Sequence, residues 1–523
     1  MFATDYVVFF VMLAISVFIG IYFSLIKNQP KTTGDELSFG WKINGFAIPV
    51  TLSLIASCVS GITLLAVLRR LLTWNKLYLL SIFITNFLYF VLLALSASNL
   101  KTRRINVNLI ACITSIMCVF YTTIGGFKAV VWTDVVQFVG MVISMLTVLY
   151  LGITSIGDFK TVWSQAREAD RLNWDFSVDP TIKDGFWPII FGGSVLWMYY
   201  GGLHPASVQK YLSICNRKKT RWICGTFAIG VGSFIAASVI IGFILHAKYR
   251  GCDPLSSSQI KSADQLLPYF IAEISDNVPG VKGTFVVGLF SAVLSTLSSS
   301  FNSFGTTIYG DFVVPYLSSP LSEKSSNCLI KLIIVVSGIL CIGLTFIVDK
   351  LGSILTFINA IQCSLSGLIV GLFSLGILFS SSNSKGALWG AAVSFLISTW
   401  VAAGHEWYKM QGAFNSFVKP LSVDNCTFQF NLTLIAPTIG VSKPFLLYRL
   451  SYWFNAVISM SLLIIVGLIV SSCTKPDKTM VDQKLLNPVF YRLFKKMTRN
   501  RDVDGGNQNL EMTTYTFNNN SKN

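Results

Sequence analysis

The chain has 523 residues, 53% of them hydrophobic and only 12% charged, about half the charged share of a soluble domain, which excludes a surface that faces water all round. The formal net charge of +16 does not point to nucleic acid, because the Lys and Arg residues sit in short loops and the tail, as in membrane proteins that keep positive charge on the cytoplasmic side. The 11 cysteines form no CxxC pair and fall mostly in apolar runs, where Cys behaves as a small hydrophobe, so no metal centre, redox chemistry or cofactor is expected.

A transmembrane helix needs about 20 mainly apolar residues. Runs of this kind lie near 6–26, 46–68, 77–97, 107–126, 130–154, 186–212, 223–247, 282–308, 328–349, 353–379, 386–404 and 452–472. The chain is therefore read as an all-α polytopic membrane protein with the bilayer as its main partner. The first run follows Asp5 and has no basic residue before it, so it is read as a retained span and not as a secretory signal. Residues 155–185 and 248–281 are mixed polar loops, and Asp264 to Glu273 has the pattern of a short amphipathic helix. Residues 1–472 form the transmembrane domain in this reading. Residues 473–523 form a cytoplasmic tail, polar and Asn-rich from Asn500 onward and largely disordered.

Charge sets the orientation. Lys210, Arg217, Lys218, Lys219 and Arg221 crowd what reads as one short loop without an acid, which places that loop inside. Asn425-Cys426-Thr427 and Asn431-Leu432-Thr433 are glycosylation sequons, used only on the outside. Cys252 falls in another loop placed outside, so a bridge between Cys252 and Cys426 is compatible with an oxidising compartment. Counting spans from the basic loop puts the C-terminus inside. The N-terminal part fits less well: Lys27, Lys31 and Lys42 precede the span at 46–68, while Arg69, Arg70 and Lys76 follow it. One crossing cannot satisfy both flanks, either because the charge rule is only a bias or because a span is absent between residues 65 and 70.

Four segments could carry chemistry. Ser53 to Thr63 places small and hydroxyl residues in the middle of a span. They serve either close helix packing or a helix break whose freed carbonyls coordinate a cation. Phe120 to Gln137 holds Gly125-Gly126, which fits a tight turn between two spans, with Lys128 at the cytoplasmic mouth. Asp134 then stands inside the next helix, where an acid marks either an ion pathway or a paired charge. Trp197 to Pro205 combines aromatics, a Gly pair and Pro. That mixture suits a helix break beside a cavity, or an interfacial belt, with His204 as a polar residue at a helix end. Phe290 to Ser303 crowds eight hydroxyl or amide side chains into one would-be span. Ser295 and Ser299 share a helix face there, and their oxygens are hard donors suited to replacing the water around sodium; a polar seam between helices is the bland counterpart.

Together these segments resemble the sodium:solute symporter family, and within it the branch that carries monocarboxylates, vitamins and iodide. The resemblance rests on Phe120-Tyr-Thr-Thr-Ile-Gly-Gly-Phe-Lys-Ala-Val-Val-Trp-Thr-Asp134-Val-Val-Gln, Ala206-Ser-Val-Gln-Lys-Tyr211 and Ser291-Ala-Val-Leu-Ser-Thr296. Leu321-Ser-Glu-Lys324 and Asn383-Ser-Lys-Gly-Ala387 add to it. It implies two inverted five-helix repeats with extra peripheral spans, and sodium as the coupling ion between the broken first helix and the eighth helix of that core. Carried over by position, Ala56, Val59 and Ala292 would offer carbonyls, Ser295 and Thr296 hydroxyls, and Asp134 the acid near the intracellular sodium exit. Substrate would lie at mid-membrane beside Cys58, Thr63, Tyr199 and Tyr200.

Two departures stand out. His204-Pro205 replaces an expected Asn-Gln, and Leu64-Leu-Ala-Val67 runs directly into Leu68-Arg-Arg, where the family has the second helix of its core. The expected function is a secondary active symporter of the plasma membrane in which sodium drives a small, monocarboxylate-like organic anion. The alternative is a truncated, non-transporting relative that senses ligand or serves as a partner subunit. An enzyme is not expected: no nucleophile–base constellation and no HExxH motif occur, and the chain has only three His.

Overall fold

The computed structural model describes residues 3–25, 47–58, 107–169, 171–172, 176–182, 185–214, 217–257, 259–260, 265–276, 278–319, 321–348, 354–379, 381–411, 426 and 444–474. Among them, eight helices are long and apolar enough to cross a membrane. A helix is the natural solution there, since every backbone polar group in lipid must be satisfied within the segment. The expected span at 77–97 and the expected omission between Val67 and Arg69 lie outside the described residues.

The helices in chain order begin with α1 (Ala3–Leu25), α2 (Ala47–Cys58) and α3 (Val107–Thr154). Helix α3 covers two of the expected spans. The turn expected at Gly125-Gly126 is a single break at Gly126, with φ 63° and ψ −162°, a conformation open to glycine and strained for residues with a Cβ. Helix α4 (Phe159–Glu168) is capped by Asp158, whose carboxylate accepts from the Thr161 amide at 2.7 Å.

The run expected as one span at 186–212 is divided. Residues 186–203, here α5, alternate α-helical turns with wider π-helical ones at Ile189–Gly193 and Tyr199–Leu203. His204 is extended, and Pro205 opens the short helix α6 (Pro205–Leu212). Two Gly pairs loosen the helix, and Pro, which has no amide proton, is tolerated at a first helical position and not in an interior. His204 sits at a helix end as expected, its Nδ1 accepting from the Ala206 amide at 3.3 Å.

Helix α7 (Arg217–Lys248) follows, then α8 (Leu266–Ile274), which lies where the amphipathic pattern was expected and buries Leu266, Leu267, Phe270 and Ile271. Helices α9 (Val281–Thr307), α10 (Glu323–Val348), α11 (Ile354–Leu378), α12 (Ser384–Met410), α13 (Leu446–Arg449) and α14 (Phe454–Cys473) complete the order. Cys252 and Cys426 are joined as a disulfide.

The described residues fall into two compact units, one within 1–370 and 394–460 and the other within 371–393 and 461–474. In the first, α9 lies along α3, and α2 packs against α3, α7 and α9. The approach of α9 to α3 is close because glycines face small residues: Gly140 opposes Ser291, and Gly288 opposes Ser144. In the second unit Asn383 acts as a clamp. Its amide donates to Ser471 Oγ at 3.1 Å, its side-chain nitrogen to Thr474 Oγ1 at 2.7 Å, and its side-chain oxygen accepts from the Gly386 amide at 2.8 Å.

Candidate functional site

The hydroxyl-rich segments of α2 and α9 meet. Thr296 Oγ1 donates within 3.1 Å of the Ser57 carbonyl and 3.0 Å of the Ala292 carbonyl. Ser57 Oγ lies 2.9 Å from Ser299 Oγ and 3.5 Å from Ser295 Oγ. Ala56, Ala292 and Ser295 are fully buried beside these contacts. The i,i+4 spacing of Ser295 and Ser299 puts both on the stripe of α9 that faces Ser57.

Asp134 of α3 completes the cluster, with no solvent exposure. Ser53 Oγ donates to its Oδ2 at 2.6 Å, Ser299 Oγ approaches the same oxygen at 3.2 Å, and Ser298 Oγ approaches Oδ1 at 3.4 Å. A carboxylate at membrane depth is costly unless it is paired or hydrogen-bonded, and here it is both. Lys210 Nζ stands 3.0 Å from Asp134 Oδ2, with side-chain exposures of 2% and 0%. The ammonium also donates to the Ser53 carbonyl at 3.0 Å, to Ser299 Oγ at 2.9 Å and to Ser57 Oγ. Removing one partner of such a pair leaves an uncompensated buried charge at about 3–5 kcal/mol.

Lys210 is the main correction to the sequence reading, which placed it with Arg217, Lys218, Lys219 and Arg221 in a basic loop. It belongs to α6, while Arg217 to Arg221 form the first turns of α7. The signal was present: Ala206, Ser207 and Lys210 are the buried residues of α6, at the i, i+4 and i+3 spacing of one helix face. Gln209 beside it binds α9, bonding Thr306 Oγ1 and accepting from Asn302 Nδ2 at 3.1 Å.

The aromatic segment forms a second group. Tyr200 is buried in the same apolar cluster as Cys58 and Cys363, with Tyr199 packed against it. The rings of Tyr199 and Tyr200 meet edge to face, and His204 stacks on Tyr200 with centroids 5.8 Å apart. Gln362 of α11, which the sequence reading passed over, hydrogen-bonds the Tyr200 hydroxyl. The π-helical turn at 199–203 leaves the Tyr200 carbonyl to Ser207 Oγ, which donates to it at 2.8 Å.

Of the residues expected to hold sodium, Ala56, Ala292, Ser295 and Thr296 thus fall in one neighbourhood next to Asp134. Of those expected near substrate, Cys58, Tyr199 and Tyr200 share one cluster. Val59, Thr63, Asn425 and Asn431 lie outside the described residues.

Comparison with known proteins gives the family and the fold. The sodium:solute symporter family matches residues 40–394. The chain is 32% identical over 540 residues to sodium-coupled monocarboxylate transporter 2 of Mus musculus, covering 93% of this chain and 86% of the relative. It is 30% identical to sodium-coupled monocarboxylate transporter 1 of Homo sapiens, at 92% and 89% coverage, and 32% identical over 373 residues to a sodium-dependent multivitamin transporter of Oryctolagus cuniculus, at 69% and 57%. In architecture it matches a Na+-coupled sialic acid symporter in a substrate-bound outward-open state, with a TM-score of 0.68 at 18% identity, over 92% of this chain and all of that one. A polytopic, transporter-fold chain whose hydroxyl-lined helices converge on a buried acid is accordingly a member of the sodium:solute symporter family and not an enzyme.

Proposed function

We propose that this protein couples sodium entry to uptake of a small monocarboxylate-like anion across the plasma membrane. One observation carries the reading: Ser57 of α2 and Ser295, Thr296 and Ser299 of α9 converge within hydrogen-bonding reach beside Asp134. Sodium would take carbonyl oxygens from Ala56, Val59 and Ala292 and hydroxyl oxygens from Ser295 and Thr296. A hydroxyl accepts through its lone pairs while still donating its proton, so Thr296 can face an ion and keep a bond to Ser57. Asp134 would then receive the ion on its way to the cytoplasm. Because the similar monocarboxylate transporters are sodium-coupled by name, the anion is assigned by analogy to a carboxylate, lying beside Cys58, Thr63, Tyr199 and Tyr200, with Gln362 added as an amide donor.

The orientation that suits this function puts residues 473–523 in the cytoplasm and the sequons at Asn425 and Asn431 outside. Each tenfold excess of sodium outside is worth about 1.4 kcal/mol, enough to bias uptake. The deciding experiment is radiolabelled monocarboxylate uptake in cells, in sodium and in choline medium, for the wild type and Ser295→Ala with Thr296→Ala. Uptake that needs sodium and disappears in the surface-expressed double variant is the expected result. Equal uptake in choline would remove the coupling from the reading.

A further inference from the structure

The anion reading uses one face of α11 and leaves the other unexplained. Gln362 hydrogen-bonds the Tyr200 hydroxyl of α5, whereas Ser364, two residues on, stands on the opposite side of the same helix. There α14, which the sequence reading counted as one more span, meets it through buried polar groups. Asn455 Nδ2 donates to Ser364 Oγ at 2.5 Å, and Ser459 Oγ donates to the Ser364 carbonyl at 2.8 Å. Ser394 of α12 holds Ser459 in turn, donating to its carbonyl at 2.7 Å. Ser364, Ser394 and Ser459 have no solvent exposure, and Asn455 has 4%. Gly367, one turn along α11 from Ser364, lies against the backbone of Ala456 with no room for a Cβ. The residue before α14 does the same for α5: the Trp453 carbonyl sits on Gly192, in the first π-helical turn.

From this seam we infer that the first two turns of α14 are a backing for the anion site, and that Asn455 and Ser459 are positioning residues for Gln362. They act through α11. A helix can turn about its own axis, and a turn of one residue, about 100°, carries Gln362 away from Tyr200. The close contact at Gly367 sets how near α11 comes to α14 but does not stop it turning. The two bonds at Ser364, one to its side chain and one to its carbonyl, stop both turning and sliding. Within a membrane, helix association rests on close packing and interhelical hydrogen bonds, and this contact has both. Val195 of α5, Val370 of α11 and Ala456 of α14 also pack in one buried cluster against Tyr199. The two helices that carry the proposed anion residues therefore share one support, and the gap between Gln362 and the tyrosines is set from behind.

For its effect on uptake the inference rests on the symport reading, so uptake is paired with a measurement that does not. Monocarboxylate uptake per copy at the cell surface is measured for the wild type, Asn455→Leu, Gln362→Ala and the double variant. Asn455→Leu should raise KM by up to about fivefold, the loss expected for the Gln362 bond itself, with the sodium concentration for half-maximal uptake unchanged. In the Gln362→Ala background it should add nothing, because a positioning residue has no effect on KM once the group it positions is gone. Cys363, buried next to Gln362, reports on the helix directly. Purified protein is treated with N-ethylmaleimide, and labelling at Cys363 should be slow in the wild type and several-fold faster in Asn455→Leu. An unchanged KM, a rise that multiplies with that of Gln362→Ala, or Cys363 labelling equal to the wild type's overturns the inference and leaves a packing seam. Should Asn455→Leu fail to reach the surface, Ser459→Ala, which removes a smaller group, carries both comparisons. Wild-type uptake that is absent, or equal in choline, defeats the symport reading alone and leaves the labelling to decide.

Discussion

The Thr296 hydroxyl donates to the main-chain carbonyl of Ser57 at 3.1 Å, joining the end of α2 to the middle of α9 across 239 residues of chain. The bond places an oxygen that can face an ion on each side of the helix contact. A hydrogen bond or ion contact of this kind is worth roughly 1–1.5 kcal/mol, which corresponds to about a tenfold change in an affinity. Thr296→Val, which keeps the shape and loses the oxygen, is expected to raise the sodium concentration for half-maximal uptake by roughly that factor. Thr296→Ser is expected to leave it close to the wild type. Uptake measured against sodium concentration at fixed anion decides between them.

Tyr200 and Gln362 form a pair beside Cys58, where the anion is proposed to bind. Tyr200→Phe and Gln362→Ala each remove one neutral donor, worth about 1 kcal/mol. Each should raise the KM for a monocarboxylate about fivefold while the sodium dependence stays in place. A change confined to sodium affinity would move the anion away from this pair.

Two of the three glycines of helix α11 stand in contrasting settings. A Cβ at Gly367 would strike the backbone of Ala456, which cannot move aside, whereas a Cβ at Gly376 meets nothing within 4 Å. Overpacking of this kind costs about 1–3 kcal/mol, and Gly to Ala in an open helical position gains up to about 1 kcal/mol. Gly367→Ala should lower the thermal stability of the detergent-purified protein, and Gly376→Ala should leave it unchanged or raise it.

Cys252 and Cys426 close a bridge across 174 residues. Structural disulfides persist in the secretory lumen and outside the cell, and one closing a long loop contributes about 2–4 kcal/mol. A non-reduced digest of the purified protein should contain a single cross-linked peptide holding both cysteines, which separates on reduction. Cys252→Ser should lower surface expression. Two free thiols at these positions in protein from the cell surface would contradict the bridge.

The membrane class, most of the spans and the hydroxyl-rich stripe of α9 were legible in the sequence by itself, because they depend on local quantities. Twenty apolar residues in a row need a bilayer, and Ser295 and Ser299 share a face by helical period alone. The breaks at Gly126 and His204-Pro205 were legible for the same reason, although their form was not: a turn became one glycine residue, and one span became α5 and α6. What surrounds Asp134 only the tertiary structure decided. An acid in a span can be free or paired, and its partner Lys210 is 76 residues away in sequence, next to basic residues that made it look like part of a cytoplasmic loop. Charge patterning registers how many Lys and Arg stand near one another in sequence. It carries no information about which of them a short helix turns inward, because that choice is made by the oxygens of Ser53, Ser57, Asp134 and Ser299, which come together only when α2, α3, α6 and α9 pack.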